Sequence, residues 1–296
     1  MRSCILCKGN ASVMKLNVSD YTFDFNQRTY IMGIVNVTPD SFSDGGMYFD
    51  EDTAVRRAIQ MAEDGADIID IGGESTRPGA EPVTIEEELR RTVPVIKSVA
   101  KHVHIPISID TYKSEVAQRA LDAGAAMIND ISGLNFDPEM SRVAAQSGVP
   151  VIIMHIKGEP KNMQKNPFYH ALIPEICEYL KDSIQRAVDT GISEEKIIID
   201  PGIGFGKSFE HNLEIIHKLA EFQSLGRPVM VGPSRKAFLG KILGDVSPEQ
   251  RLEGTAAAVA ISIMNGADMI RVHDVREMVK VAKVADAIKN ICIRVP

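Results

Sequence analysis

The chain has 296 residues, a hydrophobic content of 44% and a formal net charge of -7, so it can fill the core of one large domain or of two average ones. The acidic balance, an aromatic content of 5% and the absence of tryptophan argue against a protein that binds nucleic acid or a membrane surface. No segment approaches the about 20 apolar residues of a membrane span, and no signal-peptide core is present, so we expect a cytoplasmic protein.

Residues 1–29 differ in pattern from the rest and are predicted to be an N-terminal extension to a domain over residues 30–296. Within it, Val18–Phe25 alternates loosely and predicts a short hairpin that covers the bottom of the domain. Cys4 and Cys7 have the CxxC spacing, but a zinc site needs four ligands and no second Cys or His pair lies nearby. With Cys177 and Cys292, we interpret them as reduced thiols without a catalytic role.

From residue 30 onward, an apolar run, a polar cluster and an amphipathic helix follow one another repeatedly. The runs are rich in Ile and Val and apolar on both faces, as expected of parallel strands that helices cover. The predicted strands are Tyr30–Val35, Ile68–Ile71, Ile105–Ile109, Ala126–Ile128, Val149–Met154, Ile197–Ile199, Pro228–Val231 and Met269–Ile270. Eight units at a pitch of about 30 residues favour an α/β fold of the TIM (β/α)8 barrel type, and a doubly wound sheet is the alternative.

The helices that alternate with these strands are predicted from the spacing of their apolar residues. They are Asp52–Asp64, Thr84–Lys101, Lys113–Ala123, Asp137–Gln146, Ile173–Thr190, Phe209–Leu225, Pro248–Asn265 and Val275–Ile288. Several end at a glycine, which adopts the left-handed cap at little cost.

Polar side chains follow every predicted strand. A closed parallel barrel brings the carboxyl ends of its strands to one face, so these residues are expected to form a single site. They are Asn36, Glu74, Ser75, Thr76, Arg77, Asp110, Asn129, Asp130, His155, Asp200, Ser234, Arg235, Lys236, Arg271 and His273. The long polar connections Asn36–Asp50 and Gly72–Pro82 predict loops that bind a ligand or close over it.

Two acidic residues and one amide suggest the kind of ligand. Asp110 and Asp200 each follow an Ile-rich run, so both carboxylates are predicted to point into the site. With the amide of Asn129 they suit a flat heterocycle that carries several N–H donors, because carboxylates accept paired hydrogen bonds. The alternative for Asp110 is the N-cap of the following helix.

The segment Gly202–Ser208 resembles a phosphate-binding loop, but one residue too few separates Gly202 from Gly206. We interpret it as backbone that approaches a ligand closely. Lys236 after the seventh strand could form a Schiff base, or act as a cation that donates to a carbonyl or an anion. Arg235 would lower the pKa of Lys236 if the two side chains were close.

A second group of polar residues suits an anion. Arg271 and His273 are two residues apart, so their side chains are predicted to lie on the same side of the chain at the end of the eighth strand. Together with Asn36 they could bind a diphosphate. The alternative for His273 is a position at the N-terminus of the following helix. A zinc site at His155 is not expected, because no second histidine has ligand spacing. Asn36, Asp44 and a diphosphate could share Mg²⁺, which prefers oxygen ligands.

Long motifs in this chain closely resemble those of the dihydropteroate synthases, a pterin-binding family. Ile34–Gly46 reads IVNVTPDSFSDGG and Asp70–Gly79 reads DIGGESTRPG, like the two signature segments of that family. The remaining blocks match in order from about residue 30 to about residue 290. They are Ser108–Thr111, Ile128–Asp130, Asp200–Lys207, Ser234–Lys236 and Ile270–Asp274.

The resemblance implies a barrel that joins 6-hydroxymethyl-7,8-dihydropterin diphosphate to 4-aminobenzoate in folate biosynthesis. It implies that Asp110, Asn129, Asp200 and Lys236 hold the pterin ring, that Asn36 contacts Mg²⁺, and that Thr76, Arg271 and His273 contact the diphosphate. Thr76, Arg77, Pro78, Lys236 and the next residue would frame aminobenzoate; that residue is Ala237, where many relatives carry a hydroxyl. The expected catalytic residues are Asp110, Asp200, Lys236 and Arg271. A homodimer and arylsulfonamides as aminobenzoate mimics are also implied.

Other functions remain as rivals at this stage. A methyltransferase that passes a methyl group from methyltetrahydrofolate to a corrinoid protein shares the barrel and the pterin carboxylates. A Schiff-base aldolase would use Lys236, and a pterin carrier without catalysis would need no group that binds diphosphate.

Overall fold

The structure is a computed structural model that describes residues 14–38 and 51–291. The predictions for Cys4, Cys7, Asp44, Cys292 and most of the Asn36–Asp50 loop lie outside these residues. The described strands are β1 (Lys15–Val18), β2 (Tyr21–Asp24), β3 (Tyr30–Asn36), β4 (Ile68–Gly72), β5 (Ile107–Asp110), β6 (Met127–Asp130), β7 (Val151–Met154), β8 (Ile197–Asp200), β9 (Met230–Val231) and β10 (Met269–Val272).

Strands β3 to β10 form a closed parallel barrel. Their order in the sheet is β8-β7-β6-β5-β4-β3-β10-β9, and all neighbouring pairs are parallel. A parallel bridge between Ile199 and Val229 joins the two ends, and the Ile199 amide donates to the Pro228 carbonyl at 2.9 Å. The TIM (β/α)8 fold is therefore confirmed, and the doubly wound alternative is wrong.

The helices lie between successive strands, close to the predicted bounds. They are α1 (Glu51–Glu63), α2 (Ile85–Val99), α3 (Ser114–Asp122), α4 (Met140–Ser147), α5 (Leu172–Asp189), α6 (Phe209–His217), α7 (Ala237–Ile242), α8 (Leu252–Met264) and α9 (Val275–Lys289). The prediction missed α7, because six residues are too few to show a helical period. It also merged α6 with the separate 3₁₀ segment Leu219–Leu225.

The antiparallel pair of β1 and β2 closes the amino-terminal end of the barrel. Alternate side chains of this hairpin, which include Leu16 and Phe23, pack in one buried cluster with the lowest inward-facing side chains of the strands. Burial of each such side chain contributes about 1.5–3 kcal/mol. The site is therefore confined to the carboxyl end. The boundary between extension and barrel at residue 30 stays a prediction.

A second cluster lies between the strands and the surrounding helices. Ile69 and Ile71 of β4 and Val95 and Ile96 of α2 are fully buried in it. In the part of the chain that the structure describes, no helix combines the length and apolar character that crossing a bilayer requires.

Candidate active site

Five of the predicted site residues line one pocket at the carboxyl end of the barrel. They are Asp110, Asn129, Asp200, Lys236 and Arg271. The other walls of this pocket are formed by Ile131, Met154, Ile203, Phe205, Met230 and Gly232. A polar floor with apolar walls suits a small aromatic molecule.

The register of the sheet explains why these side chains converge. Asp110 of β5 is the Cα partner of Asn129 of β6, and Asp200 of β8 is the partner of Met154. Side chains of partnered residues lie on the same side of a sheet, which here is the inside of the barrel. The helix-cap alternative for Asp110 is wrong, because Lys113 occupies the N-cap position of α3.

Arg271 is at the centre of a buried ionic network. Its Nε donates to Asp70 Oδ2 at 2.6 Å, and its Nη2 donates to Asp110 Oδ2 at 2.6 Å. Asn129 Nδ2 also donates to Asp70 Oδ2, at 3.0 Å. Sequence reasoning did not select Asp70, although an acidic residue within the apolar run Ile68–Ile71 was a usable sign.

Burial governs the protonation of the two pocket carboxyls. Loss of hydration raises the pKa of Asp110 to about 7, although Arg271 acts in the opposite direction. Loss of hydration also raises the pKa of Asp200 to about 6, against the hydrogen bond that its Oδ1 accepts from Gly202 N at 2.7 Å. Burial alone would lower the pKa of Arg271, but Asp70 and Asp110 raise it, so the guanidinium is charged.

Lys236 lies with its Nζ 4.2 Å from the centre of the Phe205 ring. Burial, followed by the charge of Arg271, lowers the pKa of Lys236 to about 8. The condition stated for Arg235, that its side chain lies close to Lys236, is not met: Arg235 turns away and donates to Asp274 at 3.0 Å through Nε. At neutral pH Lys236 is therefore chiefly a cation, which an aromatic face and nearby carboxylates stabilise.

The segment Gly202–Ser208 approaches other parts of the protein. A Cβ at Gly202 would overlap the carbonyl oxygen of His155, and one at Gly206 would overlap that of Lys157. We expected this backbone to approach a ligand, which stays a prediction: Ile203 and Phe205 of the segment line the pocket, whereas Gly202 and Gly206 lie against the loop after β7. The glycines therefore allow two loops to pack together beneath the pocket mouth.

Replacing Gly202 with Ala should lower the free energy of unfolding by about 2–4 kcal/mol, because the added Cβ meets a backbone carbonyl at a φ of +73°. Gly226→Ala is the matched control. Its φ is +67°, but no heavy atom lies within 4 Å of the added Cβ, so about 1 kcal/mol of strain is expected. Urea-induced unfolding measures both values, and equal losses would contradict the close approach.

His155 and Lys207 form a buried pair below the same loop. Lys207 Nζ lies 2.7 Å from His155 Nδ1 and donates to the carbonyls of His155 at 3.3 Å and Phe205 at 3.0 Å. Burial, followed by the charge of Lys207, lowers the pKa of His155 to about 2. A neutral His155 is thus committed to packing and hydrogen bonding.

His273 lies beyond the pocket wall, next to Ser234. Burial and the charges of Arg235 and Arg271 lower the pKa of His273 to about 3, so its ring is neutral. The Ser234 hydroxyl accepts from the His273 backbone N at 3.2 Å and lies 3.0 Å from Nδ1. This hydroxyl can donate to Nδ1, which leaves Nε2–H as the free donor of the ring.

The loop after β4 lies at the carboxyl end of the barrel, but its predicted residues do not line the pocket. Thr76 is partly exposed, and Arg77 and Pro78 are exposed. Glu74 anchors the loop, because it accepts from Tyr112 and from Lys113, both at 2.6 Å. The loop also meets the one after β7, where Gly79 N donates to the carbonyl of residue 160 at 3.0 Å.

Within residues 14–38 and 51–291, no group of three or more His, Cys, Asp or Glu side chains is placed to hold a cation. These residues therefore do not form a metal site from protein ligands alone. Asn36 is partly exposed at the end of β3, the strand beside β10, and offers an amide oxygen there. This donor suits Mg²⁺ only if a phosphate-bearing ligand and water supply the other oxygens.

Comparison with known proteins agrees with this geometry. A family model described as pterin binding enzyme matches residues 32–273. The dihydropteroate synthase of Synechocystis sp. is 50% identical over 92% of this chain and 94% of its own length. A Yersinia pestis dihydropteroate synthase in complex with a sulfonamide drug superposes with a TM-score of 0.89 at 44% identity, over 94% of this chain and 100% of that one.

A Xanthomonas albilineans dihydropteroate synthase in complex with 7,8-dihydropteroate gives a TM-score of 0.85 at 39% identity, over 94% of this chain and 100% of that one. The likeness thus extends over the whole barrel and both signature segments. The chain belongs to the family of pterin-binding enzymes, among the dihydropteroate synthases.

Proposed function

We propose that this chain is a transferase that condenses 6-hydroxymethyl-7,8-dihydropterin diphosphate with 4-aminobenzoate, and that it releases 7,8-dihydropteroate and diphosphate in folate biosynthesis. One observation carries the proposal. A single pocket is lined by three acceptors and two cations, namely Asp110, Asn129, Asp200, Lys236 and Arg271. The chain that forms this pocket is similar to dihydropteroate synthases along most of its length.

The pterin ring would bind to the polar floor of the pocket. Ionised Asp110 and Asp200 accept hydrogen bonds from ring N–H groups, and Asn129 can both donate and accept. Lys236 would donate to the ring from the side opposite Phe205. The apolar walls, which include Met154 and Met230, would cover the faces of the ring.

The diphosphate would lie towards β3 and β10. There the guanidinium of Arg271 and the Nε2–H of His273 would bind the leaving group, together with Thr76 if its loop moves inward. Asn36 would hold Mg²⁺ jointly with the diphosphate, and the ion would neutralise part of the charge that develops on the leaving oxygens. Cations aimed at developing charge in a water-poor site are among the largest contributions to catalysis.

The remaining chemistry needs little help from the protein. The reacting carbon is a methylene on an electron-rich ring, so its bond to the diphosphate can weaken early, and Asp110 and Asp200 would stabilise the cation that develops. The aniline nitrogen of 4-aminobenzoate is nucleophilic near neutral pH and needs no strong base. Arg77, Pro78 and Ala237 would frame this substrate at the mouth, and the loops would exclude water, which competes for the cation.

The direct test is to incubate the purified protein with both substrates and Mg²⁺ and to follow diphosphate and dihydropteroate together. Equal amounts of both products support the proposal. Transfer of a methyl group to a corrinoid protein, without diphosphate release, would instead favour the methyltransferase. Binding of the pterin with no turnover would favour a carrier.

The rate at limiting pterin substrate should fall in acid. Because burial raises the pKa of Asp110 to about 7 and of Asp200 to about 6, acid converts both acceptors into neutral carboxyls. The value of kcat/KM should be highest between about pH 7 and pH 8, because Lys236 loses its proton around pH 8, and it should fall at least about tenfold per pH unit below about pH 6. Asp200→Asn should remove the fall in kcat/KM that is centred near pH 6 and leave the fall that is centred near pH 7. If kcat/KM of the unchanged protein does not fall in acid, both assignments are contradicted.

We further propose a cytoplasmic homodimer that arylsulfonamides inhibit at the aminobenzoate position. Exposed apolar side chains on the neighbouring helices α8 and α9, among them Ile261, Val284 and Ile288, support association through this face. Light scattering of the purified protein should give twice the chain mass of 32.4 kDa, and a monomer at micromolar concentration would contradict the dimer.

A further inference from the structure

Asp70 does not line the pocket, yet it joins two residues that do. It lies on β4 between Ile69 and Ile71 and is fully buried. A single oxygen, Oδ2, accepts from Arg271 Nε at 2.6 Å and from Asn129 Nδ2 at 3.0 Å. Any side chain without an acceptor at this position would release both residues.

The bond to Asp70 fixes the direction of the Arg271 guanidinium. Nε is the nitrogen closest to the chain, so a contact there orients the whole planar group and leaves its outer nitrogens facing away from β4. One of them, Nη2, reaches Asp110 at 2.6 Å. The guanidinium is therefore held by two carboxylates that lie at different depths of the barrel.

The same oxygen fixes the direction of the Asn129 amide. An ionised carboxylate can only accept hydrogen bonds, so the amide atom that faces it must be the nitrogen. The Asn129 carbonyl oxygen then faces away from Asp70, towards the pocket that this residue lines. Without Asp70, the amide could rotate by half a turn and present a donor in place of an acceptor.

The hydrogen bonds of Asp70 serve the site and not the barrel wall. Its second oxygen, Oδ1, has no partner among the described residues, and neither has the buried hydroxyl of Ser108, its Cα partner on β5. A buried carboxylate costs several kcal/mol in lost hydration. A residue retained only for packing between two isoleucines would carry no charge.

We propose that Asp70 is a positioning residue for the reaction: it sets the direction of the Asn129 amide that receives the pterin ring and of the Arg271 guanidinium that receives the departing diphosphate. This inference rests on the proposed function. It predicts that a single change below the pocket weakens the binding of two chemically different halves of one substrate.

The test uses two probes, 6-hydroxymethylpterin for the ring and inorganic diphosphate with Mg²⁺ for the leaving group. Asp70→Leu keeps the branch at Cγ but replaces both oxygens with methyl groups, which accept no hydrogen bond. Calorimetry should show that it binds each probe at least about tenfold more weakly, because each loses a group that a charge-assisted hydrogen bond held in place. Ser108→Ala, which removes a neighbouring hydroxyl without a described partner, should retain both affinities.

Asp70→Asn separates the two effects. Its amide oxygen can still accept from Asn129, so affinity for the ring probe should stay within about threefold, whereas affinity for diphosphate should fall about tenfold because the bond to Arg271 loses its charge. This split is not expected from a purely structural role, which would lower both affinities together with the unfolding temperature. If Asp70→Leu does not fold, the difference between the two probe affinities of Asp70→Asn still tests the proposal.

Two outcomes would overturn the inference. One is a folded Asp70→Leu that binds both probes as the unchanged protein does, and the other is an Asp70→Asn protein with unchanged affinity for diphosphate. These differ from failure of the proposed function. In that case the unchanged protein itself would form no dihydropteroate and release no diphosphate from the two substrates.

Discussion

Asp110→Asn should lower kcat/KM for the pterin substrate by about 10²–10³, measured near pH 8. At that pH the carboxyl of Asp110 is ionised, because its pKa is about 7. An amide of the same shape replaces one acceptor with a donor, so it mispairs with the ring N–H groups. It also removes a negative charge next to the carbon that becomes cationic during the reaction.

The control for this experiment is Asp189→Asn, which makes the same chemical change at an exposed position near the end of α5. Its activity should match that of the unchanged protein. Circular dichroism and thermal unfolding should show that both variants fold. A folded Asp110→Asn with a near-normal rate would remove Asp110 from this role.

Arg271→Met should abolish turnover and lower the free energy of unfolding by about 3–5 kcal/mol near pH 8. Arg271 contacts both Asp70 and Asp110, so its loss leaves two buried carboxylates without a cation. The loss in free energy of unfolding should be larger at high pH than at low pH. In acid the carboxyl of Asp110 takes up a proton and needs no partner, whereas at rising pH it must ionise without Arg271, so the deficit should grow from about pH 5 to about pH 8.

Urea-induced unfolding at both pH values measures this dependence. Arg271→Lys is the informative companion, since it retains a cation but cannot contact two carboxylates through separate nitrogens. Arg271→Lys should recover most of the free energy of unfolding that Arg271→Met loses, and little of the rate of turnover. An Arg271→Met deficit that is the same at both pH values would show that the lost packing, and not the unpaired carboxylates, is responsible.

The sequence alone was sufficient for the barrel and for the convergence of the main site residues. The Ile-rich runs before Asp110 and Asp200 mark parallel strands covered on both faces, and the topology of a closed barrel then brings their ends together. This reasoning needs no side-chain detail. It holds for Asn129 and Arg271 as well, because all four residues occupy the last or the second-last position of strands in the same sheet.

What sequence reasoning missed depends on neighbours that are distant along the chain. Arg235 is adjacent to Lys236 in sequence, but Arg271 is the guanidinium that lowers the pKa of this lysine. Gly202 and Gly206 lie against the carbonyl oxygens of His155 and Lys157 from another loop. Asp70 was missed because a single acidic residue within a strand gives no sign of which residues it contacts.

The hairpin of β1 and β2 and the inward-facing side chains that pack against it fill the amino-terminal end of the barrel. The pocket therefore has its entrance at the carboxyl end, where the strands meet their loops. A molecule that binds against Asp110 and Asp200 would have to enter and leave past this rim, and not through the base.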